Sequence, residues 1–134
     1  MMTRRADSTG RGRETVLLVE DDMLVRMLGV DVLEEAGYDV IEAPNGDVAL
    51  DVIDANPRAI SVLMTDIDMP GSINGHQLAR QVNERWPWIR IVLTSGKTML
   101  AQRDIPDHGR FVAKPWLPDT IVHAIRSAGT PGDV

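Results

Sequence analysis

The chain predicts an α/β fold in which a parallel sheet is covered by helices on both faces. Two patterns lead to it. Stretches of strand character alternate five times with stretches of helical periodicity, joined by short connections; this order builds βαβ units. The strand stretches are also nearly continuous aliphatic and β-branched runs, as in Thr15-Val16-Leu17-Leu18-Val19 and the run Ile60 to Met64. Such runs suit strands buried on both sides. A third observation gives the sheet a working edge. The strands end in Glu20-Asp21-Asp22, Thr65-Asp66-Ile67-Asp68, Thr94-Ser95-Gly96 and Lys114-Pro115, and open parallel sheets bind and transform ligands at the carboxyl ends of their strands.

Taken in order, residues 1–13 hold four arginines among small and polar residues and read as a disordered basic leader. No apolar segment follows them, which excludes a secretory signal. After the first strand, a helix over about 23–36 places Leu24, Met27, Leu28, Val32 and Leu33 on an apolar face, with Gly37 as its stop. A short strand over 38–43 follows. Asn45 then caps a helix that carries Val48, Ala49, Val52 and Ile53 and closes at Asn56-Pro57. The central strand spans 60–65, and Met69-Pro70-Gly71 breaks the chain after it. A third helix runs from about Gly75 to Arg85, before Pro87. Strand four covers 89–95, residues 97–103 hold only a short helix, and strand five covers 110–113. Pro118 and Asp119 open the last helix, with Ile121, Val122 and Ile125 inward. Residues 129–134 read as a tail.

Bulk properties narrow the function. At 134 residues the chain has room for one domain with one core. Its net charge of −6 argues against a nucleic-acid surface. There is no cysteine, which removes disulfides, thiolate metal sites and thiol nucleophiles and fits a cytoplasmic location. The three histidines, His76, His108 and His123, match no zinc spacing, so any metal here is a hard cation held by oxygen. No run approaches the roughly 18 apolar residues of a membrane span.

The strand ends offer Glu20, Asp21, Asp66, Ser95 and Lys114 to one edge. Carboxylates packed together repel and raise one another's pKa unless a cation is present. Mg²⁺ prefers a few carboxylates, waters and a phosphoryl oxygen. With Lys114 as a point charge and Ser95 as a neutral donor, the set suits a transferring phosphoryl group received by a carboxylate.

These residues carry a family resemblance. V-L-L-V-E-D-D at 16–22, D-I-D-M-P-G at 66–71, L-T-S-G at 93–96 and F-V-A-K-P at 111–115 resemble the receiver domain of two-component response regulators, over 14–128. The resemblance implies a flavodoxin-like (βα)5 sandwich with strand order 2-1-3-4-5. It implies phosphorylation of Asp66 by a sensor histidine kinase or phosphotransfer protein. Glu20, Asp21, Asp66 and the backbone carbonyl of Asp68 would hold Mg²⁺, or Mn²⁺ in its place. Ser95 and Lys114 would grip the acyl phosphate, Phe111 would follow Ser95 as the switch aromatic, and the Lys114–Pro115 peptide would be cis. Signalling would run through the face of the fourth helix, fifth strand and fifth helix, with slow self-dephosphorylation. The expected state is a stand-alone receiver, a monomer or weak phosphorylation-dependent dimer, with no direct DNA or membrane binding and no other catalysis.

Some features depart from the pattern. Glu20 stands where Asp is commoner and would supply its oxygen through a water. The turn Pro70-Gly71-Ser72-Ile73-Asn74-Gly75 carries one extra residue, a small cost in a loop. Asp68 and Lys97 are expected to pair over the site and slow hydrolytic water; the alternative is two independent solvated charges. Trp116 reads either as an exposed partner anchor or as a lid over the core, and Trp86 and Trp88 as structural. The D-x-D of 66–68 also resembles haloacid-dehalogenase-type phosphatases, but there that strand comes first and a cap or longer core follows. A binding module that keeps the fold without using phosphate is the other rival.

Overall fold

The computed structural model describes residues 13–96, 105 and 108–129. Five parallel strands, β1 (Thr15–Val19), β2 (Asp39–Ala43), β3 (Val62–Asp66), β4 (Arg90–Ser95) and β5 (Arg110–Ala113), form one sheet in the order β2-β1-β3-β4-β5. The helices are α1 (Met23–Glu35), α2 (Gly46–Ala55), α3 (Gly75–Arg85) and α4 (Pro118–Ser127), with a 3₁₀ turn at Pro57–Ala59. This is the flavodoxin-like arrangement. The short helix expected at 97–103, and Lys97 with it, lies outside the described residues.

Side-chain alternation along the strands divides the core in two. Leu17, Val19, Leu63, Ile91 and Leu93 pack toward α2 and α3 with Ile53, Leu78 and Val82. Val16, Leu18, Met64, Val92 and Val112 pack toward α1 and α4 with Leu33, Ile121 and Ile125. Parallel register then lines up the strand ends. Val19 stands beside both Ala43 and Thr65, Asp66 beside Thr94, and Ser95 beside Ala113.

The helix starts follow local chemistry. Asp22 caps α1 by accepting from the amides of Leu24 and Val25, and Asn45 caps α2 through Val48. Asn74 and Gln77 form a reciprocal capping box at α3. Gly37 (φ +102°) ends the α1 turn in a conformation that favours glycine. Gly75 is required for another reason. A Cβ there would overlap the carbonyl oxygen of Asp66 and lie 2.6 Å from its carbonyl carbon. The first residue of α3 therefore rests directly on the backbone at the end of β3.

Three expectations change. Arg13, assigned to the leader, is bound to the domain: it donates to the carbonyls of Gly37, Glu34 and Tyr38 and pairs with Asp39. Two of these carbonyls, of Gly37 and Tyr38, belong to the turn that follows α1, so Arg13 ties the start of the domain to that turn. Gly129, placed in the tail, donates to the carbonyl of His108. The third correction is larger. Leu24, Met27 and Leu28, assigned to the core face of α1, are 70%, 55% and 63% exposed. The helix instead turns Gly29 and Leu33 inward, and Gly29 is what permits it. A Cβ there would come within 2.6 Å of the Trp116 ring and 2.8 Å of Leu18.

Candidate functional site

The carboxyl edge of the sheet holds a cleft of about 400 Å³ lined by Glu20, Asp21, Asp66, Asp68, Gly96 and Lys114, among others. Asp66 is the last residue of the central strand and is buried, as is Glu20 just past β1; Asp21 is exposed. Lys114, just after β5, bridges the two buried acids. Its Nζ donates to Glu20 Oε1 at 2.6 Å and to Asp66 Oδ2 at 3.2 Å. The second oxygen of Glu20 accepts from the amide of Asp22, and Asp66 Oδ1 accepts from the amide of Asp68. The Lys114–Pro115 peptide is cis, as the motif leads one to expect.

Burial pushes the Asp66 carboxyl above its ordinary 3.8, against the pull of the Lys114 charge and hydrogen bond. Burial likewise raises Glu20 above 4.5, although Lys114 and the Asp22 amide act in the other direction. For Lys114, burial alone would lower the ammonium. The hydrogen bond to Glu20 and the charges of Asp66 and Glu20 outweigh it, and Lys114 ends above 10.5. Among the described residues, the site thus crowds negative charge around one half-buried cation, the condition that invites a second one.

The donor set fits such an ion. One carboxylate oxygen each from Glu20, Asp21 and Asp66 can be chosen so that all lie within 4.8 Å of one another. Three hard, anionic oxygens on the wall of an open cleft match a cation that keeps several waters.

The two hydroxyls at the end of β4 separate cleanly. Thr94 faces α1 and α4, where its Oγ1 accepts from the Trp116 indole N–H at 2.7 Å. Ser95 lies on the site side, and its hydroxyl donates to Asp68 Oδ2 at 2.6 Å. The contact with Ser95 spans 27 residues that no short-range pattern connects, while Lys97, the partner expected for Asp68, lies outside the described residues. Phe111 is half-buried against the α2/α3 side of the core. Trp116 is half-buried too, packed into the α1/α4 core, which makes it a lid rather than an exposed anchor. Trp86 and Trp88 are structural: each carries an arginine over its ring, Arg85 and Arg58.

Beside the cleft, a groove of about 450 Å³ runs between α1 and the segment after β5, lined by Val25, Leu28, Val32, Lys114, Pro115 and Trp116. Val25 and Lys114 border both cavities. The exposed Met23, Leu24 and Met27 lie on the same helix, and exposed Leu117 follows Trp116. Sequence reasoning misses this apolar surface because it assigns the same residues to the core. Among the described residues, no helix is long and apolar enough to cross a membrane.

The model of the response regulator receiver domain matches residues 16–126. The response regulator receiver protein CpdR of Brucella abortus is 34% identical over 113 residues, covering 82% of this chain and 92% of CpdR. Sensor kinase CckA of the same organism is 36% identical over 101 residues, 75% of this chain but 11% of that protein. Among solved structures, chemotaxis protein CheY4 of Vibrio cholerae superposes with a TM-score of 0.76 at 21% identity, over 87% of this chain and 98% of that one. The receiver domain of the hybrid histidine kinase CckA gives 0.69 at 28%, over 84% and 95%. With its parallel sheet and the acids, hydroxyl and lysine gathered on one edge, the chain belongs to the response regulator receiver domain family.

Proposed function

We propose that Asp66 accepts a phosphoryl group from a phosphohistidine of a sensor histidine kinase or phosphotransfer protein. The observation that carries this reading is the Asp66 carboxylate at the wall of an open cleft, held against Glu20 by the Lys114 ammonium. An Asp66 oxygen forms the bond to phosphorus while the phosphorus–nitrogen bond breaks. The imidazole leaves with the electron pair and takes its proton from solvent. Glu20, Asp21, Asp66 and the Asp68 carbonyl would hold Mg²⁺, or Mn²⁺, which would supply neutralisation of the phosphoryl charge.

The protein's own groups do the rest. Lys114 moves its charge from Asp66 Oδ2 to a phosphoryl oxygen, and Ser95 donates its hydroxyl to another. Phe111 follows the displacement of Ser95, and the change reaches a partner through the surface formed by the segment after β4, β5 and α4. Water attack on phosphorus returns free Asp66, with Asp68 and Lys97 setting its rate. The domain acts as a monomer or weak phosphorylation-dependent dimer in the cytoplasm, without direct DNA contact. Incubation with acetyl phosphate is expected to add one phosphoryl group by intact mass, only with Mg²⁺ present, and peptide mapping is expected to place it on Asp66. No adduct under those conditions would leave a phosphate-independent binding module, and turnover of small phosphate esters would favour an enzyme.

A protein donor must bring its phosphohistidine within bonding distance of Asp66, so it must cover the surface around the cleft mouth. The exposed apolar residues of α1 stand there, and water-exposed clusters of this kind mark protein contacts. With a phosphohistidine protein that loads the wild type, Leu28→Asp is expected to slow transfer about tenfold or more, the loss of one hot-spot contact. Loading by acetyl phosphate should not change. Equal slowing with both donors would place the defect in the site instead.

A further inference from the structure

The Ser95 hydroxyl already has an anionic acceptor before any phosphoryl group arrives. Ser95 is 2% exposed and donates to Asp68 Oδ2 at 2.6 Å, the length of a short, charge-assisted bond. The backbone of the same Asp68 is tied to the acceptor, its amide donating to Asp66 Oδ1 at 3.3 Å. A serine hydroxyl has one proton to donate. It cannot serve the Asp68 carboxylate and a phosphoryl oxygen on Asp66 at once.

We propose that the Asp68 side chain is the resting-state acceptor for Ser95, a positioning residue that loading of Asp66 must displace. The proposal rests on the phosphoacceptor reading of Asp66 and adds to it a competitor built into the site. Each loading event exchanges one bond of Ser95 for another, so the bond to Asp68 sets how readily the loaded arrangement forms. Asp68 also bears a negative charge near the incoming anion. That repulsion acts without Ser95, and it is the effect from which the proposal must be separated.

The experiment is a double-mutant cycle on the full chain, with beryllofluoride as the phosphoryl mimic and Mg²⁺ present. Binding is read by calorimetry for wild type, Asp68→Ala, Ser95→Ala and the double variant. Asp68→Ala is expected to bind the mimic about 10- to 100-fold more tightly than wild type, as fits release of a hydrogen bond to a charged group. In the Ser95→Ala background the same change should yield less than about a twofold gain. Asp68→Asn, which keeps an acceptor without the charge, should fall between wild type and alanine. A gain of equal size in both backgrounds would assign the whole effect to repulsion and overturn the proposal, as would no gain at all. A second readout needs no mimic. Three-bond couplings at Ser95 in the unloaded protein should report one side-chain rotamer in wild type and averaging in Asp68→Ala; a single unchanged rotamer would count against the proposal. If wild type bound no mimic and formed no Mg²⁺-dependent adduct, the phosphoacceptor reading would fall and the proposal with it. A wild type that loads normally but shows no coupling would remove the proposal alone.

Discussion

Asp66→Asn is expected to abolish the phosphoryl adduct completely and, in the same protein, to raise the stability of the metal-free domain at neutral pH. The first effect is chemical, because an amide in place of the carboxylate removes the nucleophilic oxygen. The second follows from burial. Burial holds the folded-state pKa of Asp66 above its ordinary 3.8, so between those two values the native state binds more protons than the unfolded chain. Stability contributed by this group therefore falls as pH rises through that window, and the deficit persists above it. Glu20 carries the same sign from its own burial, starting from 4.5. Asparagine keeps the shape and a carbonyl oxygen for Lys114 while removing the charge. Relief of a destabilised functional site of this sort is commonly worth about 0.5–2 kcal/mol. Urea denaturation of wild type and variant should show the gain at pH 7 and its disappearance below about pH 3.8, where both side chains are neutral. A gain independent of pH would mean that the carboxylate charge is not its source.

Lys114→Met is expected to act in the opposite direction. The ammonium lies 2.6 Å from an oxygen of Glu20 and 3.2 Å from one of Asp66, and both acids are buried. Removing one partner of a buried ion pair costs about 3–5 kcal/mol, because the charge left behind is uncompensated. The Lys114 side chain is 21% exposed, so solvent softens the loss, and about 2–3 kcal/mol is expected in metal-free buffer. The contribution of Lys114 itself is fully present below its ordinary 10.5 and is lost only as pH rises through its raised value. The deficit should shrink toward acid pH as Glu20 and Asp66 take up protons. Saturating Mg²⁺ should restore part of the stability, since a divalent ion on the same acids replaces the missing positive charge. A deficit unaffected by either pH or Mg²⁺ would point to lost packing of the lysine stem. The two substitutions thus bracket the site: removing an anion stabilises it, and removing the cation does the reverse.

The three inner strands were legible because strands buried on both faces leave nearly uninterrupted apolar runs, each ending where a polar residue reaches the edge. The half-buried edge strands were placed by their position between helices. The same logic also found Glu20, Asp21, Asp66 and Lys114, since parallel register alone brings strand ends together. The face of α1 was not legible in the same way. Periodicity shows that Leu24, Met27 and Leu28 share a stripe, but it does not say whether that stripe meets the sheet. What decides it is Gly29, whose lack of a side chain admits Trp116 and Leu18, and a glycine adds nothing to a hydrophobic pattern. The bond between Ser95 and Asp68 and the hold of Arg13 on the turn after α1 escaped for a different reason. Both join residues more than 20 positions apart, and each rests on the aim of one side chain. In composition, Arg13 is one more arginine in a basic leader.

The contact of Gly75 with the Asp66 backbone makes the connection between them a handle fastened at both ends. At one end it is welded to the middle strand of the sheet. At the other, the Asn74–Gln77 capping box and the abutment of Gly75 fix the first turn of α3. The span between is therefore expected to change in length without passing strain to Asp66. Its outer part is moored separately, through Ser72 to Asp47. For protein engineering, the tip at Gly71, where no neighbour lies within 4 Å of an added Cβ, is the expected graft point a few residues from Asp66, a place to splice in a tag or sensing peptide while Asp66 keeps its position.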